Sequence, residues 1–148
     1  SAASDVYKRQ AVTICPSVLS QRLVLGFMAE GMWQPHTERT AALYKQRCKA
    51  VIAACEKYMP EGTTWTTPEG GFFTWLTLPE GGKYEDAADA LAPAIENGVV
   101  FVPGSAFYES REIEGKLVNP GANQLRIAFS SVAPEKLEEG VRRLAEVL

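Results

Sequence analysis

The segment Asn123-Gln-Leu-Arg-Ile-Ala-Phe-Ser130 alternates strictly between apolar and polar or small residues. A strand with one buried face reads this way, because successive side chains point to opposite faces of a sheet. Leu125, Ile127 and Phe129 share one face, and Gln124, Arg126, Ala128 and Ser130 share the other. Arg126 therefore stands among small or polar neighbours on a rigid element. A guanidinium held in that way can meet a carboxylate through two parallel N–H···O bonds, which fix position and orientation together. An arginine on an open strand face is more often merely solvated, so the flanking segments have to decide.

Downstream of the strand, Pro134 and Glu135 read as the first turn of a helix, with Leu137, Val141, Leu144 and Leu148 as its apolar stripe. Gly140 inside it costs about 1 kcal/mol relative to alanine and suggests close packing against a neighbour. Upstream, Val99 to Val102 reads as a short strand that runs into Pro103-Gly104, and the charged, then Asn/Pro/Gly-rich stretch 109–122 reads as a surface loop. Residues 85–97 read as a helix with Ala88, Leu91, Ala92 and Ile95 inward, kinked by Pro93 and stopped by Gly98. Thr64 to Thr67, the turn Pro68-Glu-Gly-Gly71 and Phe72 to Leu78 form a hairpin signal, with Phe72, Leu76 and Leu78 on one side and Phe73 and Trp75 on the other. Two helices precede it. The first, from Ser17 to Glu30, is apolar around most of its circumference, so it expects neighbours on several sides. The second, from Thr37 to Tyr58, carries the stripe Tyr44, Cys48, Val51, Ile52, Cys55 and Met59. This order gives an α+β fold: a small, mainly antiparallel sheet of three or four strands covered by helices, with an N-terminal helical extension. Residues 1–10 are polar and without period and read as a non-native leader.

Composition bounds the rest. A chain of 148 residues that is 46% hydrophobic can bury one core. With a net charge of -3 and no basic patch, nucleic acid is not an expected partner. No apolar run approaches the roughly 20 residues that span a bilayer. Cys48 and Cys55 are two helical turns apart, about 10 Å, too far for a disulfide. With Cys15 they read as small residues in a reducing, cytoplasmic setting. His36 has no metal-ligand pattern around it and reads as a helix-start or surface residue. No metal site is expected, and neither HExxH, CxxC, a P-loop nor GxGxxG is present. No residue is assigned a catalytic role on spacing alone.

Three segments gain meaning as an ordered set: PEGGFFTWLTLPEG (68–81), NGVVFVPGSAFY (97–108) and NQLRIAFSSVAPEKLEEGVRRLAEVL (123–148). From about residue 12 to 148 the chain resembles the C-terminal part of fold-type I, pyridoxal-phosphate-dependent aminotransferases of class I/II. It is most similar to the branch that includes 2-aminoadipate aminotransferases and the aminotransferase-like halves of some transcription regulators. The resemblance implies a reaction that moves an amino group between an amino acid and a 2-oxo acid. It implies that Arg126 binds the substrate α-carboxylate, and it makes Gly71 and Phe107 pocket-lining candidates. It implies residues 11–36 as a helix remnant of the large cofactor domain and 37–148 as the small domain. The family's Schiff-base lysine and most cofactor ligands belong to a segment upstream of residue 1. None of Lys8, Lys45, Lys49, Lys57, Lys83, Lys116 and Lys136 promises the desolvated setting such a lysine needs. The chain is therefore expected to hold no pyridoxal phosphate covalently, to be inactive alone, and to belong to a protein that forms a homodimer. The alternatives are an effector-sensing domain of a transcription regulator and a stand-alone binding module.

Overall fold

The computed structural model describes residues 17–148 apart from residue 114. The expected leader, Lys8 and Cys15 lie outside the described residues. Two compact units divide between Ala41 and Ala42.

The first unit contains α1 (Val18–Ala29) and the opening of α2 (Trp33–Tyr58). The Ser17 hydroxyl caps α1 by accepting the Ser20 N–H at 3.4 Å. At the other end Gly31 adopts φ 67°. Its N–H reaches the Met28 carbonyl at 3.0 Å, and the Met32 N–H reaches Phe27 at 3.2 Å. That pair of bonds is a Schellman motif, and the left-handed residue it needs is a glycine. No residue of α1 is buried, and Leu19, Leu23 and Leu25 are exposed. His36 lies in the first turn of α2, its ring edge-on to Phe27 at 6.0 Å.

The second unit is built on a four-stranded sheet in the order β1-β2-β6-β3, all neighbours antiparallel. The strands are β1 (Thr64–Trp65), β2 (Phe73–Thr77), β3 (Val102–Pro103) and β6 (Gln124–Ala128). The α+β architecture expected from the sequence is the one observed. One face of the sheet carries Thr74, Leu76, Leu78, Leu125 and Phe129 into the core. There they meet Val51, Ala54 and Cys55 of α2, and Leu137, Val141, Leu144 and Val147 of α4 (Pro134–Val147). Pro134 opens α4 at its first turn, as expected. The Arg47 guanidinium donates to the Ser130 carbonyl and so fastens α2 to the chain just beyond β6.

The structure corrects four local expectations. Residues 87–90 form a 3-10 turn capped by Asp86, and α3 (Leu91–Glu96) follows it. The tighter pitch rotates the buried face. Ala87, Ala90 and Ala94 are buried, whereas Ala88, Ala92 and Ile95 face outward. The strand expected at 99–102 is shortened and shifted to Val102–Pro103, because Val99 donates to the Ala94 carbonyl and, of the four expected residues, only Val102 reaches β6. Pro103, lacking an N–H, suits this edge position. The expected loop at 109–122 contains a second sheet, the hairpin β4 (Arg111–Ile113) with β5 (Lys116–Val118). All six of those paired residues are exposed, so no buried face gave them a period-two signature. Finally, Gly140 is not closely packed: a Cβ built there meets no atom within 4 Å.

Candidate substrate-binding site

Arg126 sits at the centre of the sheet, opposite Trp75 of β2 on one side and Val102 of β3 on the other. Its side chain leaves the face opposite the core. Phe73 and Trp75 belong to the same face of β2, since Thr74 and Leu76 between and beside them are buried. The Arg126 Cζ lies 4.0 Å from the Phe73 ring centroid and 4.7 Å from that of Phe107. Two aromatic rings thus contact one guanidinium. Cation–π contact of this kind contributes about 0.5–2 kcal/mol, more as water is excluded. Among the described residues no ion pair and no side-chain hydrogen bond engages Arg126. It is half-buried and carries a charge that the described part of the chain does not neutralise.

Phe107 arrives from a short 3-10 turn, Gly104–Phe107, that follows β3 directly. It stacks edge-on against Trp75 at 5.2 Å, and Tyr108 does so at 6.4 Å. The Trp75 indole N–H donates to the Gln124 Oε1 at 2.9 Å, which fixes the ring over the sheet. The turn can lie this low because Gly104 and Gly121 cross. A Cβ on Gly104 would stand 2.5 Å from the Gly121 carbonyl oxygen, and one on Gly121 2.4 Å from Tyr108 Cδ2. The Ser105 hydroxyl lies 3.3 Å from Asp86 Oδ1, within hydrogen-bonding range.

The structure therefore brings Arg126 and Phe107 together. Gly71 stands in the turn that leads into β2, at φ 81°, and a Cβ there would meet nothing within 4 Å. Its requirement is one of backbone conformation. Phe73 and Asn119 (below) are functional candidates that the sequence reading did not select. Phe73 was visible in principle, since it shares the parity of Trp75 and lies on the face opposite the core. A separate shallow depression of about 260 Å³ between α2 and α4 is lined by Ala50, Ala53, Lys57, Glu135 and Glu138. Its lysine is exposed and paired with Glu138 at 3.0 Å, and it lines none of the Arg126 cluster. No group of three or more candidate metal ligands occurs among the described residues, and no described helix is long and apolar enough to cross a membrane.

This arrangement of an unpaired strand arginine, a glycine-rich hairpin and a Pro-Gly turn is found in a chain whose residues 2–144 match the family "Aminotransferase class I and II". The chain belongs to that family. It is 37% identical over 140 residues to aromatic-amino-acid aminotransferase 1 of Thermococcus litoralis, covering 95% of this chain and 31% of that protein. It is 31% identical over 143 residues to 2-aminoadipate transaminase of Thermus thermophilus, covering 97% of this chain and 33% of that protein. Among solved structures, the kynurenine aminotransferase of Pyrococcus horikoshii superposes with a TM-score of 0.81 at 37% identity, over 95% of this chain and 32% of that one. This aminotransferase chain thus spans about a third of the length of the relatives it matches.

Members of the family depend on pyridoxal phosphate, which is held through a lysine whose amine must be neutral to react. Desolvation is the usual means of lowering an amine's pKa. Among the described residues Lys45, Lys49, Lys57, Lys83, Lys116 and Lys136 are all exposed. Lys57 is shifted the wrong way: hydrogen bonds with Tyr58 and Glu138 push its pKa up. None of these six stands in a desolvated setting among the described residues.

Proposed function

We propose that this aminotransferase segment anchors the substrate's α-carboxylate through Arg126, while the remainder of the full-length, dimeric protein holds pyridoxal phosphate. The single observation behind this reading is the Arg126 guanidinium itself, in contact with the rings of Phe73 and Phe107 and unpaired among the described residues. The aromatic contacts occupy none of the guanidinium N–H groups with a hydrogen bond among the described residues, so these donors stay available along its edges. Those edges suit the planar, two-oxygen geometry of a carboxylate. Apolar rings beside the guanidinium displace part of its water, which strengthens an ion pair made there.

The chemistry of transamination fits one fixed carboxylate anchor. The amino acid and the 2-oxo acid both carry a carboxylate on the carbon next to the reacting centre, so the same fork orients the substrate in both directions of the reaction. The cofactor, when bound, supplies the electron sink. The part assigned to Arg126, Phe73 and Phe107 is binding, orientation and exclusion of water. The 148-residue chain alone, lacking a suitable lysine among its described residues, is expected not to transaminate.

The test is Arg126→Lys in the full-length protein. Losing the bidentate fork should lower kcat/KM for both amino acid and 2-oxo acid by about ten- to a hundredfold, the range of a charge-assisted hydrogen bond. Unchanged steady-state kinetics would contradict the assignment. For the isolated chain, pyridoxal phosphate followed by borohydride should give no specific adduct by mass spectrometry, and a stoichiometric adduct would overturn the claim of inactivity.

A further inference from the structure

We propose that Asn119 is a positioning residue for the carboxylate site: its side chain latches the 105–110 segment so that Phe107 lies on Arg126. The inference rests on the reading of Arg126 given above and adds a residue nine positions beyond the end of the segment it controls.

The Asn119 amide is engaged at both its nitrogen and its oxygen, its two N–H donors shared among three acceptors around that segment. Its Nδ2 donates to the Ser105 carbonyl at 3.1 Å, to the Tyr108 carbonyl at 3.2 Å and towards Ser110 Oγ at 3.2 Å. Its Oδ1 accepts the Gly121 N–H at 2.9 Å, an Asx-type turn that places Gly121 against Gly104. The acceptors flank Phe107 on both sides in sequence. A plain structural role would lead one to expect buried side chains in the latched segment, but only Gly104 in the turn is buried. Phe107 and Tyr108 are each 46% exposed and contribute little to the core. What the latch holds in place is the ring of Phe107 over Trp75 and Arg126.

Asparagine suits this duty because one planar group presents two N–H donors and one acceptor. Aspartate has the same shape but no donor, and it would set a carboxylate oxygen against the carbonyls of Ser105 and Tyr108. Serine retains an acceptor for the Gly121 N–H but replaces the two amide donors with a single, shorter hydroxyl.

The experiment uses the full-length protein with Asn119→Asp, Asn119→Ser, Phe107→Leu, Arg126→Lys and the double variant Asn119→Asp/Phe107→Leu. The KM for the amino acid and for the 2-oxo acid, kcat and Tm are measured for each. Both Asn119 variants should raise both KM values by about three- to thirtyfold, the worth of one cation–π contact, with kcat changed far less. In the Phe107→Leu background, Asn119→Asp should add little, because the two residues act through one contact. If Asn119→Asp does not fold, Asn119→Ser is read in its place. The proposal is overturned if the Asn119 variants lower Tm with KM unchanged, or if their effect adds fully to that of Phe107→Leu. If Arg126→Lys leaves both KM values unchanged, the carboxylate reading fails, and the latch fails with it. An effect of Arg126→Lys without one of Asn119 overturns the latch alone.

Discussion

Phe73 pairs with Ala128 across β2 and β6, one pleat away from Arg126 on the same face, and its ring centroid lies 4.0 Å from the Arg126 Cζ. Diagonal cross-strand neighbours two residues apart come within reach when one of them is long or aromatic. Phe73 is 43% exposed, so it owes little of its presence to the core. Phe73→Leu should leave Tm nearly unchanged and raise the KM of the full-length protein for its carboxylate substrates by about three- to thirtyfold. Steady-state kinetics beside a thermal melt check both halves. A large loss of Tm with KM intact would assign Phe73 to the fold.

Gly104→Ala tests the crossing that lets the Phe107 turn lie on the sheet. The new Cβ would stand 2.5 Å from the Gly121 carbonyl oxygen and 2.6 Å from the Gln124 Cβ. The first of these is main chain, and the second belongs to the strand that carries Arg126, so neither yields cheaply. A loss of about 1–3 kcal/mol is expected, as for other overpacked sites. The midpoint of urea denaturation measures it, with an unchanged slope showing that the unfolded state is not responsible.

The alternation at 123–130 made the central strand legible because one of its faces is turned to the core, with Leu125 at 0% and Phe129 at 1% exposure and Ile127 partly buried. α4 was legible for the same reason, its buried Leu137, Val141 and Leu144 recurring at helical spacing. Residues 85–97 were read as helical, yet their phase was misjudged. A 3-10 turn advances by three residues, and a small shift in its starting point moves Ala87 inward in place of Ala88. The β4–β5 hairpin was illegible because its strands bury nothing. Asn119 was hidden for a different reason. Its partners at 105, 108 and 110 are main-chain carbonyls and one hydroxyl, and no local pattern encodes where main chain will pass.

Cys55 and Cys48 should differ in reactivity. Burial, with Glu56 adding to it, pushes the Cys55 thiol up to about 12, and burial also raises Cys48, which is only partly covered. The thiolate is the reactive species. At pH 8, iodoacetamide should therefore modify Cys48 slowly and Cys55 only after denaturant is added, as followed by peptide mapping. Rapid modification of Cys55 in the native protein would show that α2 opens locally.

Acid should act partly through α4. Arg142 and then Arg143 donate to Glu139, at 2.8 Å and 2.7 Å, and hold its carboxyl down at about 2. A carboxyl whose folded pKa lies below its unfolded value, about 4.3, stabilises the native state above the latter. That contribution is lost as the pH falls toward about 2. Wild type and Glu139→Gln should therefore differ above about pH 4 and converge near pH 2. The pairs are solvent-exposed, so the difference should be small and should shrink in 1 M salt, where the screening length is about 3 Å. Denaturation midpoints across pH at low and high salt decide it, and a gap that widens toward pH 2 would contradict the assignment.

Gly140→Ala should stabilise the protein. Gly140 lies inside α4 between the buried Leu137 and Val141, and an added Cβ meets nothing within 4 Å. No steric cost offsets the gain from reducing the unfolded chain's freedom and from better helix propensity. That gain is about 0.5–1 kcal/mol. The contrast with Gly104 is the informative part, since the same substitution is predicted to have opposite signs at two glycines of one unit. Parallel urea titrations of the two variants measure both. A destabilised Gly140→Ala would show that another surface lies against α4 in the protein as studied.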